Sequence, residues 1–195
     1  THSGGTVVSA GTLIVRNVAA LGTGPVEVQA GAKLVLDIGT AEVSVASIVL
    51  ANGGLIDVGA GKLTAATGLN RTSLLAAINA GKGDGSWNGT SGISSSIVAS
   101  AVSGGQFRTL GWLANGGSSF TVAYAAQGDT NLDGVVDIGD IANFVGGGQM
   151  DAGTPATWDT GDFNHDGIVD QLDLADLLGA SPVSYTHLTL PTKRI

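Results

Sequence analysis

The chain has no cysteine, which removes any disulfide framework. Its three histidines, His2, His165 and His187, stand far apart, so no zinc-type ligand cluster can be assembled from the sequence. Proline is scarce at four residues, and the aromatics are three Trp, two Tyr and four Phe. No stretch of 18 apolar residues occurs, so no segment reads as a membrane-spanning helix. Positive charge is missing from most of the second half, with no Lys or Arg between Thr109 and Thr192. The net charge of −8 makes nucleic acid and anionic membranes poor partners. Catalytic groups are equally thin. Ser-His-Asp chemistry has only His165 to draw on within the body of the chain. Glu27, Asp37, Glu42 and Asp57 are spread along the first third as solvated turn and face residues, unlike the paired carboxylates of glycosidic chemistry. These absences argue for a non-enzymatic protein.

What is abundant is glycine, at 32 residues, together with small and aliphatic residues in a chain 43% apolar. Residues 6–66 alternate apolar and polar positions in short runs parted by glycine turns, including Thr12–Val15, Val26–Val28, Lys33–Leu36, Val43–Val45, Ile48–Leu50, Leu55–Val58 and Lys62–Thr64. Residues 72–81 then read as a helix ending at Gly81, residues 97–102 as a second, and Phe107–Leu113 and Phe120–Tyr124 as two further strands. Trp87, Trp112 and Tyr124 are expected to serve as core of this segment in preference to stacking on sugars. The runs beginning Gly11-Thr-Leu-Ile-Val and Leu21-Gly-Thr-Gly-Pro-Val resemble the autotransporter-associated β-strand repeat of bacterial surface proteins. The expected class is mainly β: a β-solenoid (parallel β-helix) over residues 1–67, with a β-sandwich as the alternative, and a mixed helix/strand cap over 68–127.

The most specific pattern lies further on. Asp129-Thr-Asn131-Leu-Asp133-Gly134-Val135-Val-Asp137-Ile-Gly-Asp140 is matched 33 residues later by Asp162-Phe-Asn164-His-Asp166-Gly167-Ile168-Val-Asp170-Gln-Leu-Asp173. Oxygen side chains fall at loop positions 1, 3, 5, 9 and 12, with glycine at 6, which is the ligand spacing of a 12-residue calcium loop. Calcium takes six to eight oxygens, and the backbone carbonyl at position 7 adds Val135 and Ile168 to the set. Of the 16 acidic residues, 11 lie between Asp129 and Asp176. Charges so placed repel unless a cation sits among them.

Each loop runs directly into an apolar helix, over residues 138–145 and 172–178, and no helix precedes either loop. Loop then helix, twice, with Asp instead of Glu at position 12, resembles a type I dockerin. The resemblance implies two calcium ions, held by Asp129, Asn131, Asp133, Val135, Asp137 and Asp140, and by Asp162, Asn164, Asp166, Ile168, Asp170 and Asp173. It also implies a cohesin-like partner. The chain departs from the family in its long Gly146–Trp158 spacer and in Ile138-Gly139 and Gln171-Leu172, which are not Ser-Thr-type recognition pairs. A helix, a Trp-Asn-Gly turn and two strands before the paired loops further resemble the C-terminal region of planctomycete-type surface proteins. The module is expected to span 128–179, to pack Ile141, Phe144 and Val145 against Leu174, Leu177 and Leu178, and to be the one part whose folding depends on metal.

Residues 180–195 fit neither pattern, and from Val183 onward resemble translated sequencing-adapter read-through. They are set aside. The chain reads as the C-terminal piece of a longer exported protein, placed outside the cell or at its surface, with polysaccharide or cell-surface association as a further expected partner. Two alternatives stay open: an accessory region of a carbohydrate-active enzyme, and a calcium clamp of purely structural role.

Overall fold

Val26 and Val28, Leu34 and Leu36, and Val43 and Val45 are buried, while the residues between them are half-buried or exposed. That period of two builds a pair of sheets. The computed structural model describes residues 2–180. Its strands are β1 (Thr6–Val8), β2 (Thr12–Val15), β3 (Pro25–Val28), β4 (Lys33–Leu36), β5 (Glu42–Leu50), β6 (Leu55–Asp57), β7 (Lys62–Thr67), β8 (Gly92–Ser94), β9 (Arg108–Ala114) and β10 (Phe120–Ala126). Helices are α1 (Arg71–Lys82), α2 (Ser96–Ser103), α3 (Ile138–Gly146) and α4 (Gln171–Ala180), with a single 3-10 turn at Trp158–Thr160.

Successive early strands alternate between the sheets. A six-stranded sheet runs β1-β3-β5-β7-β10-β9, and a four-stranded sheet runs β2-β4-β6-β8. The second sheet is parallel throughout. In the first, β1, β3, β5 and β7 are parallel, whereas β10 is antiparallel to both β7 and β9. One continuous apolar cluster extends from Val8 in β1 through Trp112 and Phe120 to Phe163 and Leu177.

The class is therefore mixed α/β, with 23% helix and 29% strand among the described residues and no closed solenoid. This corrects the expected mainly β solenoid followed by a separate helical module. Residues 43–45 and 48–50 read as two strands because both are apolar-alternating, yet they lie in one nine-residue strand, β5, whose first part pairs with β7 and whose last part pairs with β3. At the other end β10 and β9 turn the parallel sheet into a mixed one. β8, which sequence patterning leaves unassigned, extends the four-stranded sheet beyond α1.

Local caps explain where the helices begin. The Asn70 side chain accepts from Ser73 N at 2.9 Å and caps α1, which begins at Arg71, one residue before the start read from sequence. Ser95 does the same for α2 through Val98 N at 3.0 Å. Asp57 is a further correction, for it is buried and not a solvated face residue. Its Oδ1 accepts from Ser96 N at 3.0 Å and Gly59 N at 3.1 Å, and its Oδ2 lies 3.2 Å from Lys33 Nζ. It thus ties the end of β6 to the start of α2. Trp87 and Trp112 are buried, as expected of core residues. Among the described residues no helix is long and apolar enough to cross a membrane. Residues 181–195, including His187 and nearly all of the stretch set aside on sequence grounds, lie outside the described residues.

Candidate metal centre

The two loops adopt the same backbone. Gly134 and Gly167 sit at φ of 94° and 96°, a conformation that side-chain-bearing residues rarely adopt. In the first loop Asp129 Oδ1 accepts from Asp133 N at 3.1 Å and Oδ2 from Gly134 N at 2.9 Å. Asn131 Oδ1 accepts from Asp133 N, and Asp133 Oδ1 from Val135 N, both at 2.9 Å. Asp140 closes the loop: Oδ1 accepts from Thr130 N at 2.8 Å and Oδ2 from Asp137 N at 2.8 Å. The second loop repeats these bonds except at Asp162 Oδ1, which accepts none. Asp162 Oδ2 accepts from Gly167 N at 3.1 Å, Asn164 Oδ1 from Asp166 N at 2.8 Å, and Asp166 Oδ1 from Ile168 N at 3.0 Å. Asp173 Oδ1 accepts from Phe163 N at 2.8 Å, and Oδ2 from Asp170 N at 2.9 Å.

Positions 1 and 12 are the deep pair, with Asp129, Asp140, Asp162 and Asp173 all buried. Asn131, Asp133, Asp137 and Asp166 lie exposed at the rim, Asn164 and Asp170 half-buried, and the side chains of Val135 and Ile168 point to solvent. Burial raises the Asp129 carboxyl above its usual range, helped by neighbouring Asp140 and Asp133. It pushes Asp162 up to about 7, with Asp173 and Asp166 adding to the shift. Asp173 and Asp176 are raised for the same first cause.

Among the described residues, four buried side-chain polar atoms have no hydrogen-bond partner: Asp162 Oδ1, His165 Nδ1, Trp112 Nε1 and Gln127 Oε1. Only the first is an acidic oxygen, and a buried carboxylate oxygen without a donor is costly unless a cation meets it. The donor set fits a hard cation, being all oxygen and arranged by two backbones of the same shape. No three His, Cys, Asp or Glu side chains among the described residues converge as a metal cluster. The carboxylates instead face N–H groups of their own loops.

The fourth loop position, where the side chain of a calcium loop normally points outward, turns inward in both copies. Leu132 and His165 share a left-handed backbone, φ 58° and 64°, that turns both side chains into the core. His165 Nε2 meets the Leu110 carbonyl of β9 at 2.7 Å. Burial, followed by the charge of Lys82, lowers its pKa to about 4, so it is a neutral core imidazole. Gly111, also on β9, has no side chain and lets Leu132 and Trp158 approach the strand.

Cations of the first half hold the loops in place through main-chain carbonyls. Lys62 donates to Leu132 O, Lys82 to Asn164 O at 2.7 Å, and Arg71 Nη2 to Gly167 O at 3.1 Å. Asn79 Nδ2 adds a bond to His165 O at 2.8 Å. Their signal in the sequence is only an excess of base over acid before the loops. The loop segment is thus welded to the sheet and to α1. Nor do the loop helices pair as expected. Phe144 stacks on Phe163 at 5.9 Å and Leu177 lies over Gly128, whereas Ile141, Val145 and Leu178 are exposed. Ile138, Gly139, Asn143, Gln171, Leu172 and Ala175 are all on the outside, as anticipated for an outer face. Comparison with protein families, with characterised proteins and with solved structures finds no match to this chain.

Proposed function

We propose that this chain is a non-enzymatic, exported protein whose twin loops each hold one calcium ion and clamp its C-terminal segment onto its own sheet. The observation that carries this reading is the repeated oxygen cradle, with Asp162 Oδ1 buried and without a donor in the second copy. Each loop brings together four aspartates. A bound divalent cation offsets their repulsion and fixes the loop shape that seats Leu132 and His165 in the core. Asp129, Asn131, Asp133, Asp137, Asp140 and the Val135 carbonyl would hold one ion. Asp162, Asn164, Asp166, Asp170, Asp173 and the Ile168 carbonyl would hold the other. Because the seat reaches β9 and α1, calcium stabilises the whole chain and not the 128–179 segment alone. Calorimetric titration tests this: two calcium ions per chain are expected, and one each for Asp133→Ala and Asp166→Ala, with Asp84→Ala unchanged. Fewer than two ions on the parent chain refutes it.

A second reading, attachment to a cohesin-like or surface partner, is favoured by one observation. Ile138 is 77% and Leu172 63% exposed on the outer faces of α3 and α4. Under this reading the clamp presents those faces, and Leu172→Asp abolishes capture of the partner without changing calcium uptake.

A further inference from the structure

We infer that Trp158 couples the two loops, so that filling one with calcium strengthens binding at the other. The inference rests on the calcium reading above. Trp158 is fully buried, in the spacer between the loops, and it touches both. Its indole Nε1 donates to the Asp129 carbonyl, at the first position of the first loop, over 2.6 Å. Its ring stacks on His165, the fourth position of the second loop, with centroids 5.7 Å apart and planes 20° from parallel. It meets Phe163, the second position, edge-on at 5.1 Å and 75°. Phe163 N in turn donates to Asp173 Oδ1, at the twelfth position.

An unbroken path therefore runs from the main chain of a buried ligand of one loop to the closing carboxylate of the other. The ring is also held against Gly111, so it has no free space in which to follow one loop independently of its partner. Calcium in either loop quenches the repulsion among its aspartates and fixes that end of the ring. The other loop then has less disorder left to lose when its own ion binds. Trp158 is a positioning residue here, since no side-chain atom of it is offered as a ligand.

The test is a double-mutant cycle on the full chain, read by calorimetry. Asp166→Ala leaves only the first loop able to fill, and its calcium affinity is expected to fall about tenfold, within the usual range of inter-site coupling. Trp158→Phe keeps a ring in the slot but removes the indole N–H. In that background Asp166→Ala is expected to change first-loop affinity less than twofold. Equal first-loop affinities with and without Asp166→Ala in the parent chain overturn the coupling. So does a tenfold loss that persists in Trp158→Phe. No calcium uptake by the parent chain overturns the calcium reading and the coupling with it, whereas two independent sites overturn the coupling alone. Should Trp158→Phe not fold, the Trp158 indole N–H resonance gives the same decision. It must shift on calcium addition both to Asp166→Ala and to Asp133→Ala, and a response to only one loop overturns the inference.

Discussion

Replacing Gly111 by alanine tests whether the loop segment is seated on the sheet as described. Gly111 pairs with Ala123 across the β9–β10 ladder, and its bare face is covered by Leu132 and Trp158. A methyl group placed there would fall 2.7 Å from Trp158 Cε2 and 2.9 Å from Cζ2, and closer still to Leu132 Cδ2. Carbon atoms pack at about 3.5–4.0 Å, so the indole must retreat by roughly 1 Å. That movement stretches the Nε1 bond to the Asp129 carbonyl. Overpacking a filled core costs about 1–3 kcal/mol, and a rigid ring with a second side chain behind the methyl puts this site at the upper end. For a chain of this size each kcal/mol moves Tm by about 2–4 °C, so a fall of about 6–12 °C is expected. Scanning calorimetry in excess calcium measures it. Gly146→Ala is the control, because its methyl would meet no atom within 4 Å. A Gly111→Ala chain melting within about 2 °C of the parent refutes the seat.

Three further substitutions separate core from surface. Asp57→Ala removes the acceptor for Ser96 N and Gly59 N and strands the half-buried Lys33 charge. It should cost about 3 kcal/mol in urea unfolding, and a loss below about 1 kcal/mol contradicts its bridging role. Leu132→Ala empties a buried position against β9 and should cost about 3 kcal/mol by the same assay, whereas a neutral result means the fourth loop position is not an anchor. Leu172→Asp lies on the exposed face of α4 and should leave stability within about 0.5 kcal/mol. Unfolding by this substitution places that face in the core and removes it as a docking surface.

Much of the local structure is legible in the residues. Period-two runs mark β2 through β7, and the spacing from Asp129 to Asp173 marks both loops. Pairing is what local pattern does not carry. Glycine-parted alternation is compatible with coils, a sandwich or mixed sheets, and the deciding event is β10 pairing antiparallel with β7, through contacts such as Thr64 with Thr121. The inward turn at Leu132 and His165 is hidden for another reason. A left-handed backbone is unusual for a leucine, and nothing in its own identity announces one. The roles of Lys62, Arg71 and Lys82 are hidden too, because their partners are carbonyls that every residue possesses.

The cationic ties have a kinetic meaning. Lys62 reaches Leu132 across 70 residues of chain, Lys82 reaches Asn164 across 82, and Arg71 reaches Gly167 across 96. Strand partners such as Thr6 with Val26 and Thr12 with Lys33 close much shorter spans. Long closures come late in folding, after the local ladders are in place. The loop segment is then the last part to dock and the first to lift. Damage at the seat should speed unfolding and leave the folding rate almost untouched. Under the calcium proposal, a bound ion would be a latch on the exit route, setting how long a folded molecule lasts more than how quickly one is made.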